Sequence, residues 1–118
     1  MNCSIYFLIS FSKIKIMYQD LTPKEFLQAF ESTENKILVD VRTPLEIEDA
    51  SIDGHIAINF QSADFPAKIL ELDKDKTLFI YCRSGNRSGQ ACKFLASKGY
   101  DKLVNLKGGM LAWAETDF

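Results

Sequence analysis

Short apolar segments that alternate with helical patterns constrain the fold of this chain more than any other feature. Lys36–Val41, Thr77–Tyr81 and Leu103–Leu106 are largely apolar runs, which are typical of strands buried on both faces of a sheet. Strands that alternate with helices predict an α/β fold, with right-handed crossovers and helices on both faces of a parallel sheet. A length of 118 residues suits one such domain with one core.

Capping signals place the helices between these strands. Thr22 and Thr43 are each followed by a proline, the residue favoured at the first helical position, so each threonine is a predicted N-cap. The remaining predicted elements are the strand Ile56–Phe60 and the helices Phe65–Leu72, Arg87–Lys98 and Met110–Trp113.

A cysteine stands directly after the predicted strand Thr77–Tyr81 and before a polar loop. Ligands of α/β sheets bind beyond the carboxyl ends of strands, so Cys82 lies where a site is expected. A thiol at the start of a helix faces unpaired N–H groups and the positive end of the helix dipole, which favours the thiolate. We therefore interpret Cys82 as a catalytic nucleophile that needs no separate general base.

The loop after Cys82 supplies donors that can hold an anion. The predicted substrate-binding residues are Arg83, Ser84, Gly85, Asn86, Arg87 and Ser88. Gly85 allows the loop to curl with its amides inward, and the two arginines are expected to lower the pKa of the thiol. For Asn86 two roles stay open, in lining the pocket or in adopting an unusual backbone angle.

Other polar residues have structural interpretations. Asp40, at the end of a strand, is predicted to accept hydrogen bonds from nearby loops. Arg42 and Glu46 are four residues apart at a helix start and are predicted to pair with each other. Cys92 falls inside a helix and is predicted to be a core residue, and His55 is not expected to act as a base.

Composition excludes several classes of protein. The net charge of −2 gives no electrostatic support for binding to nucleic acid or to a membrane surface. Three cysteines and one histidine are too few for a disulfide framework or a metal site. We therefore predict no metal and no cofactor, no nucleic-acid partner and no membrane span.

Residues 1–16 are predicted to be an N-terminal extension of a domain that covers 17–118. The apolar stretch Ile5–Phe11 is far shorter than the ~20 residues of a membrane span. It also lacks the basic region and the cleavage site of a signal peptide. A true start at Met17 predicts a cytoplasmic protein, whereas a degenerate export signal in residues 1–16 would place it in the periplasm.

Three motifs in order resemble those of the rhodanese family over about residues 18–113. Leu38–Glu46 is similar to the family's first signature, and Leu106–Trp113 is similar to its C-terminal signature. Four residues separate Cys82 from Arg87, as in the six-residue ring of rhodaneses that suits sulfur. Protein tyrosine phosphatases and the cell-cycle-activating dual-specificity phosphatases have five residues between the cysteine and the arginine, and that larger ring fits phosphate. The loop length therefore disfavours a phosphatase or an arsenate reductase.

One segment departs from the family pattern. The family usually carries Gly-His-Ile, but the ungapped alignment, which we prefer, places Ser51 at the histidine position and His55 at the position of a small residue. A shifted alignment would match Gly54-His55-Ile56 instead, at the cost of a two-residue deletion. That histidine is usually structural in the family. The departure therefore affects local packing around Ala50 and Ser51 rather than catalysis.

The resemblance implies a single-domain rhodanese-like protein with a three-layer sandwich of about five mainly parallel strands. The implied activity is that of a thiosulfate:cyanide-type sulfurtransferase, which moves sulfane sulfur from thiosulfate or from a persulfide or polysulfide donor through a Cys82 persulfide. The implied partners are a small anionic sulfur donor and a thiol or thioredoxin-like acceptor. A persulfide carrier or a sulfide-sensing module that serves a protein partner is the alternative.

Overall fold

The computed structural model describes residues 17–118, so the predicted extension 1–16 lies outside the described residues. Strands and helices alternate along the described chain. The elements are β1 Gln19–Leu21, α1 Pro23–Ser32, β2 Lys36–Asp40, α2 Pro44–Asp49, β3 Ile56–Ala57, α3 Phe65–Ile69, β4 Thr77–Tyr81, α4 Asn86–Ser97, β5 Leu103–Leu106 and α5 Gly109–Ala114.

The five strands form one parallel sheet in the order β1-β5-β4-β2-β3, which confirms the predicted α/β fold. The central strand β4 lies between β5 and β2, and Ile80 is in register with Asn105 on one side and with Val39 on the other. The carboxyl ends of β5, β4 and β2 are therefore neighbours at one edge of the sheet. The loop after β4, which begins with Cys82, lies in the middle of that edge.

Helices cover both faces of this sheet. Along β4, Leu78 and Ile80 pack on one face with residues of α3 and α4. Phe79 and Tyr81 pack on the other face with residues of α1 and α5. The alternation follows from the period of two in a strand, and it produces the predicted three layers.

Two of the helices begin with reciprocal capping. In α1 the Thr22 hydroxyl accepts the Glu25 amide at 3.4 Å, and the Glu25 carboxylate accepts the Thr22 amide at 3.0 Å. The same arrangement joins Thr43 and Glu46 at the start of α2. Both predicted N-caps are confirmed, and each satisfies two amides that have no partner within the helix.

Two predicted elements are shorter than the sequence suggested. The strand predicted for Ile56–Phe60 is limited to Ile56–Ala57 because its neighbour β2 ends at Asp40. Beyond β3 the chain turns. There the Ile58 amide donates to the Asp40 carbonyl and the Phe60 amide donates to the Val41 carbonyl, both at 3.0 Å. The helix predicted for Phe65–Leu72 ends at Ile69, because tight turns replace the helical hydrogen bonds of the amides from Glu71 onward.

None of the helices between residues 17 and 118 is long and apolar enough to cross a membrane. The longest of them, α4, has 12 residues. The location of the protein in the cytoplasm stays a prediction.

Candidate active site

Cys82 is the first residue after β4, and its sulfur is the acceptor of a set of converging hydrogen bonds. The side chain has 0% exposed surface. Its Sγ accepts the Gly85 amide at 3.1 Å, the Ser88 amide at 3.4 Å and the Ser88 hydroxyl at 3.3 Å. Three donors on one sulfur favour a negative charge at that atom.

These hydrogen bonds decide the acidity of the thiol. Burial raises the pKa of Cys82, because it disfavours the charged form. The hydroxyl and amide of Ser88 and the amides of Gly85 and Ser84 lower this pKa by more, so that it lies below the ordinary value of a thiol. The expected contribution of the arginines is therefore secondary, and hydrogen bonds from the loop supply most of the stabilisation of the thiolate.

Gly85 gives the loop its curl. Its φ of +95° lies in the left-handed region, which side chains other than glycine's rarely adopt. A Cβ at this position would lie 3.2 Å from both the Gly108 amide nitrogen and the Leu106 carbonyl oxygen. The turn that brings the Gly85 amide to Sγ therefore depends on a glycine.

The start of α5 holds the other side of the loop. The Met110 amide donates to the Cys82 carbonyl at 2.9 Å, and the Leu111 amide donates to the Arg83 carbonyl at 3.0 Å. Within one peptide unit the carbonyl and the next amide point in opposite directions. Holding the Arg83 carbonyl outward thus turns the Ser84 amide inward, toward the sulfur.

Gly109 makes this approach of α5 to the loop sterically feasible. A Cβ on Gly109 would lie 2.4 Å from the Arg83 carbonyl oxygen and 2.6 Å from the Cys82 carbonyl oxygen. From the sequence, Gly108 and Gly109 form a predicted turn into the last helix and part of a motif that resembles the family signature, but neither interpretation predicts the contact with the cysteine loop. The paired glycines at the end of a strand were the only signal that could have indicated such a close backbone approach.

Arg87 and Glu46 form an ion pair that links α4 to α2. The two guanidinium nitrogens Nη1 and Nη2 each lie 2.8 Å from one carboxylate oxygen of Glu46. The hydrogen bonds from Arg87, reinforced by those from Thr43, lower the pKa of Glu46 from 4.5 to about 2. The predicted pairing of Arg42 with Glu46 is therefore wrong, because the carboxylate of Glu46 binds Arg87 instead.

Arg42 binds the buried Asp40. Its Nε and Nη2 atoms donate to the Asp40 carboxylate at 2.8–3.1 Å, and the Arg42 amide donates to the same carboxylate at 3.0 Å. The guanidinium also donates to the backbone carbonyls of Glu46 and Ala50. Asp40 thus accepts hydrogen bonds from the neighbouring loop as predicted, and Arg42 ties the end of β2 to α2.

Comparison with known proteins identifies the family. Residues 22–116 match the model of the rhodanese-like domain. The chain belongs to the rhodanese-like family. It is 40% identical over 98 residues to a sulfurtransferase of Allochromatium vinosum, an alignment that covers 83% of this chain and 90% of that protein.

Solved structures agree with this rhodanese-like assignment. A rhodanese-related protein of Thermoplasma volcanium superposes with a TM-score of 0.72 at 28% identity, covering 83% of this chain and 92% of that one. A rhodanese-like domain protein of Staphylococcus aureus gives 0.70 at 28% identity, covering 80% and 90%. The family and the sulfurtransferase relative support sulfur transfer as the general activity, and the predicted family and fold are confirmed.

The other predicted loop residues of the rhodanese-like domain differ in placement. Arg83, Ser84 and Asn86 are exposed, whereas Ser88 is buried. Asn86 is the first residue of α4 and its Oδ1 accepts a hydrogen bond from Gln90 at 2.8 Å. The unusual backbone angle considered for Asn86 belongs to Gly85 instead.

Two residues outside the loop take structural positions. Cys92 is fully buried in the core, and burial raises its pKa to about 12, which leaves this thiol protonated and poorly nucleophilic at neutral pH. His55 lies before β3, where its Nδ1 is 2.9 Å from the Ile52 carbonyl oxygen. Cys82 is therefore the thiol of the described chain that the fold activates.

Proposed function

We propose that Cys82 takes up sulfane sulfur as a persulfide and passes it to a thiophilic acceptor, with thiosulfate or a persulfide or polysulfide as the donor. The observation that carries this proposal is the convergence of the Gly85 amide, the Ser88 amide and the Ser88 hydroxyl on Sγ. A thiolate stabilised in this way is a strong nucleophile toward a sulfur–sulfur bond.

With thiosulfate as the donor, the proposed reaction has two steps. The Cys82 thiolate attacks the outer sulfur, a new sulfur–sulfur bond forms, and sulfite leaves with the electron pair of the broken bond. The persulfide is then attacked at its terminal sulfur by an acceptor such as cyanide, which leaves as thiocyanate and restores the thiolate. No electrons are gained or lost overall, so the cycle requires neither a cofactor nor a reductant.

The loop residues have distinct parts in this scheme. The inward amides stabilise the negative charge on the persulfide as they stabilise the thiolate. Arg83 is exposed and forms no salt bridge with any other residue of the range 17–118, so it is placed to attract an anionic donor. Arg87 is engaged by Glu46 and acts by holding the first turn of α4.

Access to the sulfur is part of the proposal. Cys82 has no exposed surface, and the exposed residues Arg83 and Ser84 follow it directly. We therefore expect the loop to open when the donor approaches Sγ. A thiol or thioredoxin-like acceptor would approach the same side of the sheet, at the carboxyl ends of β5, β4 and β2.

Steady-state kinetics tests the reaction. Thiocyanate formation from thiosulfate and cyanide is measured while both concentrations are varied, and parallel double-reciprocal lines are expected from the two-step transfer. Cys82→Ser should abolish turnover and Cys92→Ala should retain it. Hydrolysis of p-nitrophenyl phosphate that depends on Cys82, without thiocyanate formation, would contradict the proposal.

A further inference from the structure

Asn105 of β5 is a buried polar residue behind the cysteine loop. Its side chain is 3% exposed. The Nδ2 group donates to the Asp20 carboxylate at 2.9 Å and to the Gly85 carbonyl at 3.3 Å. Because both partners are acceptors only, the orientation of the carboxamide is fixed, with Nδ2 toward the loop.

The other end of this carboxamide has no partner. Asn105 Oδ1 is buried and accepts no hydrogen bond from any residue between 17 and 118. An unpaired buried acceptor destabilises a fold, and an apolar side chain at this position would avoid that loss. The benefit of an asparagine at this position must therefore come from its two donated hydrogen bonds.

The hydrogen bond from Asn105 to Asp20 is not needed to hold β1 and β5 together. The backbones of β1 and β5 already pair in parallel, with Asp20 in register with Asn105. The second bond leaves the sheet and ends on Gly85, whose carbonyl also accepts the Gly89 amide at 3.0 Å as the first hydrogen bond of α4. Asn105 thus connects the edge strand β1 to the start of the helix that carries Ser88.

We propose that Asn105, held by Asp20, is a positioning residue for Cys82: it fixes the Gly85 carbonyl and thereby aims the Gly85 amide and the first turn of α4 at Sγ. Gly85 takes part in both hydrogen bonds of this proposal. Its carbonyl accepts the Asn105 Nδ2 group, and its amide donates to the Cys82 sulfur at 3.1 Å. The role rests on the proposed function in that Cys82 is the nucleophile. Asn105 acts through Gly85 and does not itself hydrogen-bond the sulfur.

The test measures the acidity of Cys82 in the full chain without any sulfur donor. Alkylation of Cys82 by iodoacetamide is followed against pH, and peptide mass spectrometry separates its product from those of Cys3 and Cys92. Asn105→Leu, which keeps the number of side-chain heavy atoms and removes both N–H donors, should move the pH midpoint of alkylation upward by about 0.5–1 unit. The melting temperature of each variant is recorded to show that it is folded.

Two variants of the exposed Asp20 keep the test decisive if Asn105→Leu fails to fold. Asp20→Asn preserves an acceptor for Nδ2 and should leave the midpoint unchanged, whereas Asp20→Ala removes it and should raise the midpoint. A folded Asn105→Leu with the wild-type midpoint, or equal midpoints for both Asp20 variants, would overturn the proposal. Because alkylation requires no sulfur transfer, failure of the thiocyanate assay would leave this result interpretable.

Discussion

Ser88 is the residue on which the chemistry of Cys82 depends most directly. It is fully buried and reaches Sγ with both its amide and its hydroxyl, whereas Ser84 is exposed and contributes only an amide. Ser88→Ala removes the hydroxyl and should raise the pH midpoint of Cys82 alkylation by about 0.5–1 unit. Ser84→Ala keeps its amide and serves as the matched control, and a shift in the control without one in Ser88→Ala would contradict this assignment.

Glycine at position 109 is required by the close approach of α5 to the loop. In Gly109→Ala the new Cβ would collide with two backbone carbonyl groups, so we expect a loss of about 2–4 kcal/mol in the free energy of unfolding. Gly54 also has a positive φ, but a Cβ there meets nothing within 4 Å, so Gly54→Ala should cost only about 1 kcal/mol. Urea denaturation measures the free energy of unfolding of both variants. Equal losses for Gly109→Ala and Gly54→Ala would show that the positive φ, and not the contact with the loop, decides the effect.

The sequence correctly predicts Cys82 at the end of a strand and the glycine turn after it, but it predicts one ion pair wrongly. The spacing of Arg42 and Glu46 suggested a helical pair, yet Thr43 is the N-cap, so Arg42 lies before the helix and turns to the buried Asp40. The true partner of Glu46 is Arg87, 41 residues away. Such a pairing depends on the adjacency of the carboxyl ends of β2 and β4, which local sequence patterns do not contain.

Among the elements, the Glu46–Arg87 pair joins α2 to α4, the helix that carries Ser88. Its contribution to stability is fully present above the ordinary Glu46 pKa of 4.5 and is lost as the pH falls through about 2, because the folded-state pKa is depressed. The free energy of unfolding of Glu46→Gln should therefore be about 1 kcal/mol lower than that of the wild type at pH 6. This difference is modest because the ion pair is partly open to solvent.

Urea denaturation at pH 6 and at pH 2 tests this prediction. The difference between the wild type and Glu46→Gln should be present at pH 6 and should shrink at pH 2. Glu48→Gln, in the same helix but exposed and without a salt bridge among residues 17–118, is the matched control. A pH-independent difference, or an equal effect of the control, would show that the ion pair is not the cause.

The elements themselves were predictable to different extents. The bounds of β4 and β5 match the prediction because both strands are buried, and in β5 only Asn105 interrupts the apolar run. The strand predicted for Ile56–Phe60 was too long, since β3 is an exposed edge strand whose length is set by the end of β2 rather than by its own composition. Propensity alone does not show where a neighbouring strand stops.

Across residues 17–118 as a whole, the sheet separates two clusters of buried side chains, one on each face. Phe79 packs edge-to-face against Phe26 and Phe30 on the face opposite Cys82, with ring centroids 5.4 and 5.2 Å apart. Phe79→Ala should cost about 3–5 kcal/mol, while Phe118→Ala, at a ring that is 57% exposed, should cost less than about 1 kcal/mol. Thermal unfolding measures both, and similar losses would contradict the described core.

The sheet order also explains why the site combines distant parts of the sequence. Cys82 follows β4, Glu46 follows β2 and Gly109 follows β5, and these three strands are adjacent. Alternating strands and helices predicted the parallel sheet, but the order of its strands is a property of the folded chain. The contacts that support Cys82 from both sides were therefore beyond prediction from local patterns.

Mass spectrometry of the protein after incubation with thiosulfate tests whether the Cys82 thiolate accepts sulfur. We expect a gain of about 32 Da, one sulfur atom, located on the Cys82 peptide and removed by cyanide. Cys92→Ala should gain the same mass, and Cys82→Ser should gain none. A wild-type protein that gains no sulfur, or a Cys82→Ser variant that still does, would contradict the claim that the Cys82 thiolate accepts the transferred sulfur.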